Sequence, residues 1–323
     1  MNTKIIGTGY DLPAFAADNN YLATLVDTSD EWIVERTGIR TRHLAKEETT
    51  TTMAVNASRQ ALERAGMQAE DVELLIVATI SGDTETPSTA CRVQAEIGAN
   101  RAVAFDINAA CSGFLYGMHV AEAFIRSGIY RNALVIGAET LSKLIDWTDR
   151  STCVLFGDGA GAAVLAATEE TGIISQSIGS NGEKWEVLEC QGRPNGNPLC
   201  GKGQELKYMT MNGQEVFKFA VKTVPLCVED AVEKAGIGLD EVKYFLLHQA
   251  NKRIIQSVAK RLGQPEEKFP MNLDQCGNTS AASLPILLAQ MDEQGLLQKG
   301  DRLVLSGFGA GLTWGACLLE WQK

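Results

Sequence analysis

The apolar positions of this chain fall into two alternating rhythms. In "ALERAGMQAEDVELLIVAT", residues 61 to 79, apolar side chains at helical spacing end at Ala65-Gly66, an acidic turn follows, and a run of β-branched and aliphatic residues closes the unit. That order predicts an amphipathic helix, a turn and a buried strand. "AVEKAGIGLDEVKYFLLHQ", residues 231 to 249, repeats the plan without a gap at an offset of 170, so that Ala61, Glu63, Ala65, Gly66 and Val72 recur as Ala231, Glu233, Ala235, Gly236 and Val242. "RNALVIGAE" (131 to 139) resembles "GDRLVLSGF" (300 to 308), and "GAGAAVLAA" (159 to 167) parallels "GLTWGACLLEW" near the end of the chain. The pattern predicts an α/β protein of two related halves, 1–170 and 171–323, with no Pro/Ser-rich linker between them.

Two glycine clusters, 157–161 and 307–311, lie in this frame. Each feeds a strand-like run instead of a helix N-terminus, so they read as close-packing turns and not as dinucleotide loops. The composition adds little that is unusual: 323 residues, 45% hydrophobic and 21% charged. The N-terminus reads as a first strand, not a secretory signal, and no apolar run has the roughly 18 residues of a membrane span, which predicts a cytoplasmic protein with no membrane partner. The formal net charge of -11 argues against nucleic acid as a partner. Eight cysteines without a C-x-x-C pair predict neither a zinc site nor a disulfide framework, and seven of them read as core thiols.

The eighth stands out by position. In "AACSGFLYG", Ala102 to Ile107 reads as a strand and Ser112 to Arg126 as a helix, which puts Cys111 at the elbow between them, exposed at a helix N-terminus. There the helix dipole is expected to lower the thiol pKa and make a nucleophile. His248 ends the strand Tyr244 to Leu247, either as a catalytic imidazole or as a hydrogen-bonded structural one. Asn278 follows Gly277 before another helix, either as a turn residue or as an amide donor to a substrate carbonyl. The repeat puts Cys111 and Asn278 at equivalent elbows.

Taken with "DTSDEWI", "RTGIRTRH", "DRSTCVLFGDGAGA" and "GFGAGLTWGA", these stretches resemble the β-ketoacyl-acyl-carrier-protein synthase III family over the whole chain. The resemblance implies a thiolase-like fold of two duplicated halves in five α-β-α-β-α layers, and a homodimer. It implies a cysteine acylated by an acyl-CoA primer, acetyl-CoA or another short acyl-CoA. Malonyl-acyl-carrier protein then decarboxylates and condenses to give 3-oxoacyl-carrier protein, CO2 and CoA, the first step of type II fatty acid synthesis by a ping-pong route. No metal or organic cofactor is implied.

In that scheme Cys111 is the nucleophile, and the Cys111 and Ala310 amides form the oxyanion hole. His248 and Asn278 stabilise the enolate. Trp32 and Arg150 resemble the pair that sandwiches the CoA adenine, with Arg36 near the phosphates and Asn251 near the pantetheine. Leu141, Phe156 and Met209 set the acyl pocket together with Thr86, which stands where many relatives carry a bulky aromatic that reaches the partner subunit's pocket, a smaller residue expected to admit a longer or branched primer. Lys218, Arg253, Lys260 and Arg261 are the expected docking residues for the acidic acyl carrier protein. Ala310 stands where relatives often carry glycine, and is tolerated if its φ is negative. A degradative thiolase would need a second cysteine in the late glycine-rich turn, and an elongating enzyme a second histidine at Asn278. A specialised starter-unit synthase of the same family stays open as an alternative, and a non-catalytic carrier-binding subunit is disfavoured by the intact Cys111, His248 and Asn278.

Overall fold

The computed structural model of the chain describes residues 1–200 and 205–323. Strands β1 (Asn2–Asp11), β2 (Leu74–Ala78), β3 (Val103–Ile107), β4 (Asn132–Glu139) and β5 (Gly159–Thr168) form one sheet in the order β1-β5-β4-β2-β3. A second sheet contains β6 (Ile173–Ser180), β7 (Tyr244–Leu247), β8 (Arg302–Gly309) and β9 (Thr313–Glu320) in the order β6-β9-β8-β7. Each sheet has the same inner plan: the apolar strand of the repeated unit runs parallel to its neighbour, β2 to β4 and β7 to β8, and a final strand returns antiparallel. Helices α1 (Thr50–Ala65), α2 (Thr89–Ile97), α3 (Gly113–Arg126), α4 (Gly213–Lys234), α5 (Lys252–Leu262) and α6 (Ser283–Glu293) cover the sheet faces.

Three apolar clusters make the five layers. Met53, Ala57 and Ala61 of α1 pack on Leu75, Val77, Leu134 and Ile136, one face of the first sheet. Leu74, Ile76 and Val135 on its other face meet α3 (Phe114, Leu115, Met118) and α6 (Leu284, Leu287, Leu288), which in turn meet Leu246, Leu303 and Leu305 of the second sheet. Phe245, Leu247 and Val304 then pack against Val224 and Val228 of α4 and Ile255 and Val258 of α5. Because both faces of these strands are covered, they read as continuous apolar runs without alternation. Each buried Leu or Ile contributes about 2 kcal/mol through lost water contact, so the layers hold together chiefly by burial.

The 170-residue offset survives in three dimensions. β4 and β8 begin at Asn132 and Arg302 and end at Glu139 and Gly309, while α3 and α6 begin at Gly113 and Ser283. The strand register therefore pairs residues 131–139 with 301–309, one residue later than the sequence likeness suggested. The elbows are equivalent, as expected; within them the position matching Cys111 is Ala281, and Asn278 corresponds to Asn108. Both asparagines do the same local job, their Oδ1 accepting from the backbone N–H two residues on, Ala110 at 3.2 Å and Ser280 at 2.9 Å. Those two residues, Ala110 at φ +46° and Ser280 at φ +48°, are the non-glycine residues in the left-handed region among the described residues.

The glycine clusters serve close packing, as expected. A Cβ on Gly161 would lie 2.5 Å from the Ile286 nitrogen, and one on Gly309 would lie 2.7 Å from the Cys111 nitrogen. Asp158, in the first cluster, is buried and accepts from the Ala45 and Ser142 amides. Among the described residues, no helix is long and apolar enough to cross a membrane.

Candidate active site

Cys111 lies in the single turn Ala110–Ser112 that joins β3 to α3. The elbow is covered, and the thiol is only 8% exposed, not open to solvent as the sequence suggested. The cover comes from the turn between β8 and β9, two hundred residues downstream. Gly309 presses against the Cys111 backbone, and the Thr313 hydroxyl donates to Ala109 O (3.1 Å) or Ala310 O (3.0 Å) and shares a hydrogen bond with Ser112 Oγ (2.6 Å). Burial pushes the Cys111 thiol up to about 12, opposed by the Ser280 hydroxyl. Desolvation thus outweighs the helix N-terminus, and the expectation of a lowered pKa is corrected.

His248 continues past β7, its amide bonded to Ser306 O at 2.8 Å, and its ring is 2% exposed. Nδ1 meets Ser283 Oγ at 2.6 Å, and the ring stands edge-on to Phe308 with centroids 5.4 Å apart. Burial lowers its pKa to about 3, so the imidazole is neutral. A Ser283 hydroxyl that donates to Nδ1 leaves the proton on Nε2, a hydrogen-bond donor. Asn278 spends its Oδ1 on the Ser280 amide, which leaves Nδ2 as its donor. Two neutral donors in a buried site can stabilise a developing oxyanion without adding charge.

Cys111, His248 and Asn278 line one cavity of about 1150 Å³. Trp32, Arg36, Arg150, Asn251 and Phe156 line it too, as do Lys218 and Arg253. Trp32 sits in the first turn of the helix Asp30–Thr37, whose cap Ser29 in "DTSDEWI" accepts from the Trp32 amide. The Arg150 guanidinium stacks at 4.7 Å from its ring centroid, and Arg36 at 4.4 Å, so both arginines lie against the one indole. Asn251 caps α5 through Arg253 N (2.8 Å) and donates to Arg36 O (3.0 Å), tying that helix to the tryptophan.

A second, small cavity of about 30 Å³ adjoins Cys111 and is lined by Leu141, Phe156, Met209 and Ala310. Ala310 is outside the left-handed region, which meets the condition for an alanine there. Thr86 is exposed and lines neither cavity of its own chain. Of the four basic positions, Lys218 pairs with Glu215 at 2.8 Å, while Lys260 and Arg261 lie in the last turn of α5, away from both cavities. Several lining residues escaped the sequence reading: Ile80, Leu188 and Ser280 in the small cavity, and Ser283 and Thr313 behind the site. Cys190, read as a core thiol, lines the small cavity, and Cys91 and Cys200 are exposed. Ser280 and Ser283 stood inside "GNTSAAS", where the repeat of the first elbow was the available signal.

Models of 3-oxoacyl-[acyl-carrier-protein] synthase III match residues 105–182, and of its C-terminal part residues 232–321. The chain is 50% identical over 324 residues to a β-ketoacyl-[acyl-carrier-protein] synthase III of Clostridium botulinum strain 657, covering 99% of each. It superposes on the crystal structure of 3-oxoacyl-[acyl-carrier-protein] synthase III from Aquifex aeolicus VF5 with a TM-score of 0.93 at 46% identity, covering 99% of this chain and 100% of that one. The priming β-ketosynthase of the R1128 polyketide pathway superposes equally well, TM-score 0.93, at 34% identity, with 100% and 97% covered. With a thiolase-like fold, a covered cysteine elbow and relatives matched from end to end, this chain belongs to the 3-oxoacyl-[acyl-carrier-protein] synthase III family.

Proposed function

We propose that the chain is the initiating condensing enzyme of fatty acid synthesis, an acyltransferase that joins an acyl-CoA primer to malonyl-acyl-carrier protein. The observation that carries this reading is the convergence of Cys111, His248 and Asn278, from three separate elements, on one cavity with stacked Trp32 and arginines among its lining residues. Cys111 attacks the primer thioester and holds the acyl group as a new thioester. The Cys111 and Ala310 amides receive the oxyanion, each such donor contributing about 3 kcal/mol. Malonyl thioester then enters, and its carbonyl oxygen takes hydrogen bonds from His248 Nε2 and Asn278 Nδ2 as CO2 leaves. The resulting carbanion attacks the acyl-Cys111 carbonyl, the C–S bond breaks, and 3-oxoacyl-carrier protein leaves together with the Cys111 thiolate, which takes a proton from water. In this reading no metal or organic cofactor takes part, because loss of CO2 generates the carbanion.

We read the primer as a short acyl group such as acetyl, because the cavity beside Cys111, walled by Leu141, Phe156 and Met209, is small, about 30 Å³. We read the CoA as held by Trp32, Arg36, Arg150 and Asn251, and the acidic carrier as approaching over Arg253, Lys218, Lys260 and Arg261. The halves are 1–170, with the nucleophile, and 171–323, with the histidine and asparagine. The molecule acts as a cytoplasmic homodimer. β3 is an open edge strand carrying Val103, 49% exposed, with Phe105 and Ile107 half-buried, a row that a second copy would cover. The starter-unit alternative has its relative at 34% identity, below the 46% and 50% of the fatty-acid enzymes.

Intact-protein mass after brief exposure to acetyl-, isobutyryl- or octanoyl-CoA tests the reading. One acetyl group is expected on the protein, absent in Cys111→Ala and discharged by malonyl-acyl-carrier protein. An octanoyl adduct that forms faster would refute the acetyl primer, and no adduct on folded protein would refute the initiating role.

A further inference from the structure

The acylation chemistry leaves one proton without a destination. A thiol held at about 12 must lose its proton as it attacks. His248 is a poor acceptor, with its affinity for a proton pushed far down and its Nδ1 bound to Ser283.

Glu139 ends β4 with no exposed surface. Its Oε2 accepts from the Ile80 amide (3.1 Å), the Thr79 hydroxyl (3.2 Å) and the Ser81 hydroxyl, while Oε1 is buried with no hydrogen-bonding partner. The Ser280 hydroxyl is orphaned in the same way. Buried polar atoms without partners are rare and costly, and two at one place call for a reason. Ser280 lines the small cavity with Cys111, and its hydroxyl favours the charged form of both the Cys111 thiol and the Glu139 carboxyl. Ser280 thus shares a cavity with the thiol, and the strand that ends in Glu139 lies against the turn that carries Ser280.

The duplication accounts for the placement. Gly309 and Glu139 are equivalent strand ends, and each strand lies against one elbow. Gly309 touches the Cys111 elbow, and on β4 a Cβ at Gly137 would come 2.2 Å from Ala281 O on the other. Where the second half has a glycine that makes room for Cys111, the first has a carboxylate.

We propose that Glu139 accepts the Cys111 proton during acylation, with Ser280 as the bridge. This rests on Cys111 being the acylated nucleophile. The Sγ–H bond breaks as its proton passes to the Ser280 oxygen and Ser280's own proton passes to Glu139 Oε1. The sulfur electron pair forms the new C–S bond to the primer carbonyl, whose π electrons move to oxygen. When that adduct collapses, the C=O returns and the primer's original C–S bond breaks. The CoA sulfur leaves with that pair and takes the proton Glu139 gives back along the same path. The buried site holds one negative charge throughout, so no second ion is desolvated. Burial raises the Glu139 carboxyl to about 7, which suits a base at neutral pH. Cys111, on the first elbow, and Cys190, after the short strand Leu188–Glu189, both feel its charge.

The test is the pH dependence of acetyl transfer from acetyl-CoA to Cys111, read by rapid quench and intact mass, in the full-length enzyme, Glu139→Gln and Ser280→Ala. The wild-type rate is expected to rise through an inflection near pH 7. Each variant is expected to acylate at least about tenfold more slowly and to lose the inflection. Condensation by enzyme already acetylated is expected to change by less than about twofold. A merely structural Glu139 would slow both half-reactions and leave the Ser280→Ala profile unmoved. A wild-type rate and inflection in either variant would overturn the proposal. Ser280→Ala keeps Glu139 bonded to the Thr79–Ser81 loop, so it decides the matter alone if Glu139→Gln does not fold. Absence of wild-type labelling at Cys111 would instead overturn the nucleophile assignment itself.

Discussion

Cys111 and His248 are both pushed by burial toward their neutral forms, the thiol upward to about 12 and the imidazole downward to about 3. The usual thiolate–imidazolium pair is therefore disfavoured at rest, and in the proposed mechanism the two residues serve different half-reactions. The division depends on which ring nitrogen of His248 carries the proton, and in the proposed mechanism a Ser283 hydroxyl donating to Nδ1 from the first turn of α6 sets it. Ser283→Ala frees Nδ1 to hold the proton and removes the Nε2 donor from part of the population. The expected outcome is a drop of about tenfold in malonyl decarboxylation, with acetylation of Cys111 unchanged and KM for the carrier little affected. Separate measurement of the two half-reactions checks it, and equal slowing of both would show that Ser283 only supports the fold.

The strand-to-helix elbows were legible in the chain, because a change from an apolar run to helical spacing is a local signal. "AFDINAACSG" and "FLLHQAN" placed Cys111 and His248 at the right corners. What covers a corner is not local. The turn that buries Cys111 lies at 310–312, so the thiol's environment could not be read from its own neighbourhood, and the expected dipole effect lost to desolvation. The elbows were matched from the sequence, but the matching of Asn278 to Asn108 within them was hidden for a simpler reason: the two elbows share a backbone and little other side-chain chemistry. The cover is held by Thr313, whose hydroxyl reaches Ala109, Ala310 and Ser112. Thr313→Val keeps the shape and β propensity of the side chain but cuts those ties, letting the Ala310 amide drift from Cys111. Acetylation is expected to fall about tenfold, equivalent to about 1.4 kcal/mol of transition-state stabilisation, as measured by single-turnover labelling.

At the scale of the whole molecule, the buried site gives stability two opposing responses to pH. His248 has a folded pKa of about 3 against an ordinary 6.5, so its contribution is full above pH 6.5 and is lost as pH falls toward 3. Glu139 has a folded pKa of about 7 against an ordinary 4.5, so its contribution is full below pH 4.5 and is lost as pH rises toward 7. Between pH 5 and 6.5 the two slopes nearly cancel. Relative to wild type, His248→Ala is expected to gain stability as pH falls from 7 to 5, and Glu139→Gln to lose it, each by about 2 kcal/mol. Denaturant titrations at the two pH values measure this, and slopes of the same sign in both variants would contradict it.

The two halves return from their fourth and eighth strands by very unequal routes. β8 reaches β9 through residues 310–312 alone, while β4 reaches β5 through residues 140–158, a stretch that includes Leu141, Arg150 and Phe156. The short return cannot lengthen without moving Ala310 away from the nucleophile. The long one is pinned at its far end, where Asn278 N donates to Leu155 O (2.9 Å) and Gly157 N donates to Asn278 O (3.0 Å). An inserted residue is therefore expected to be absorbed in 143–150, and in 310–312 to pull the cover off the nucleophile.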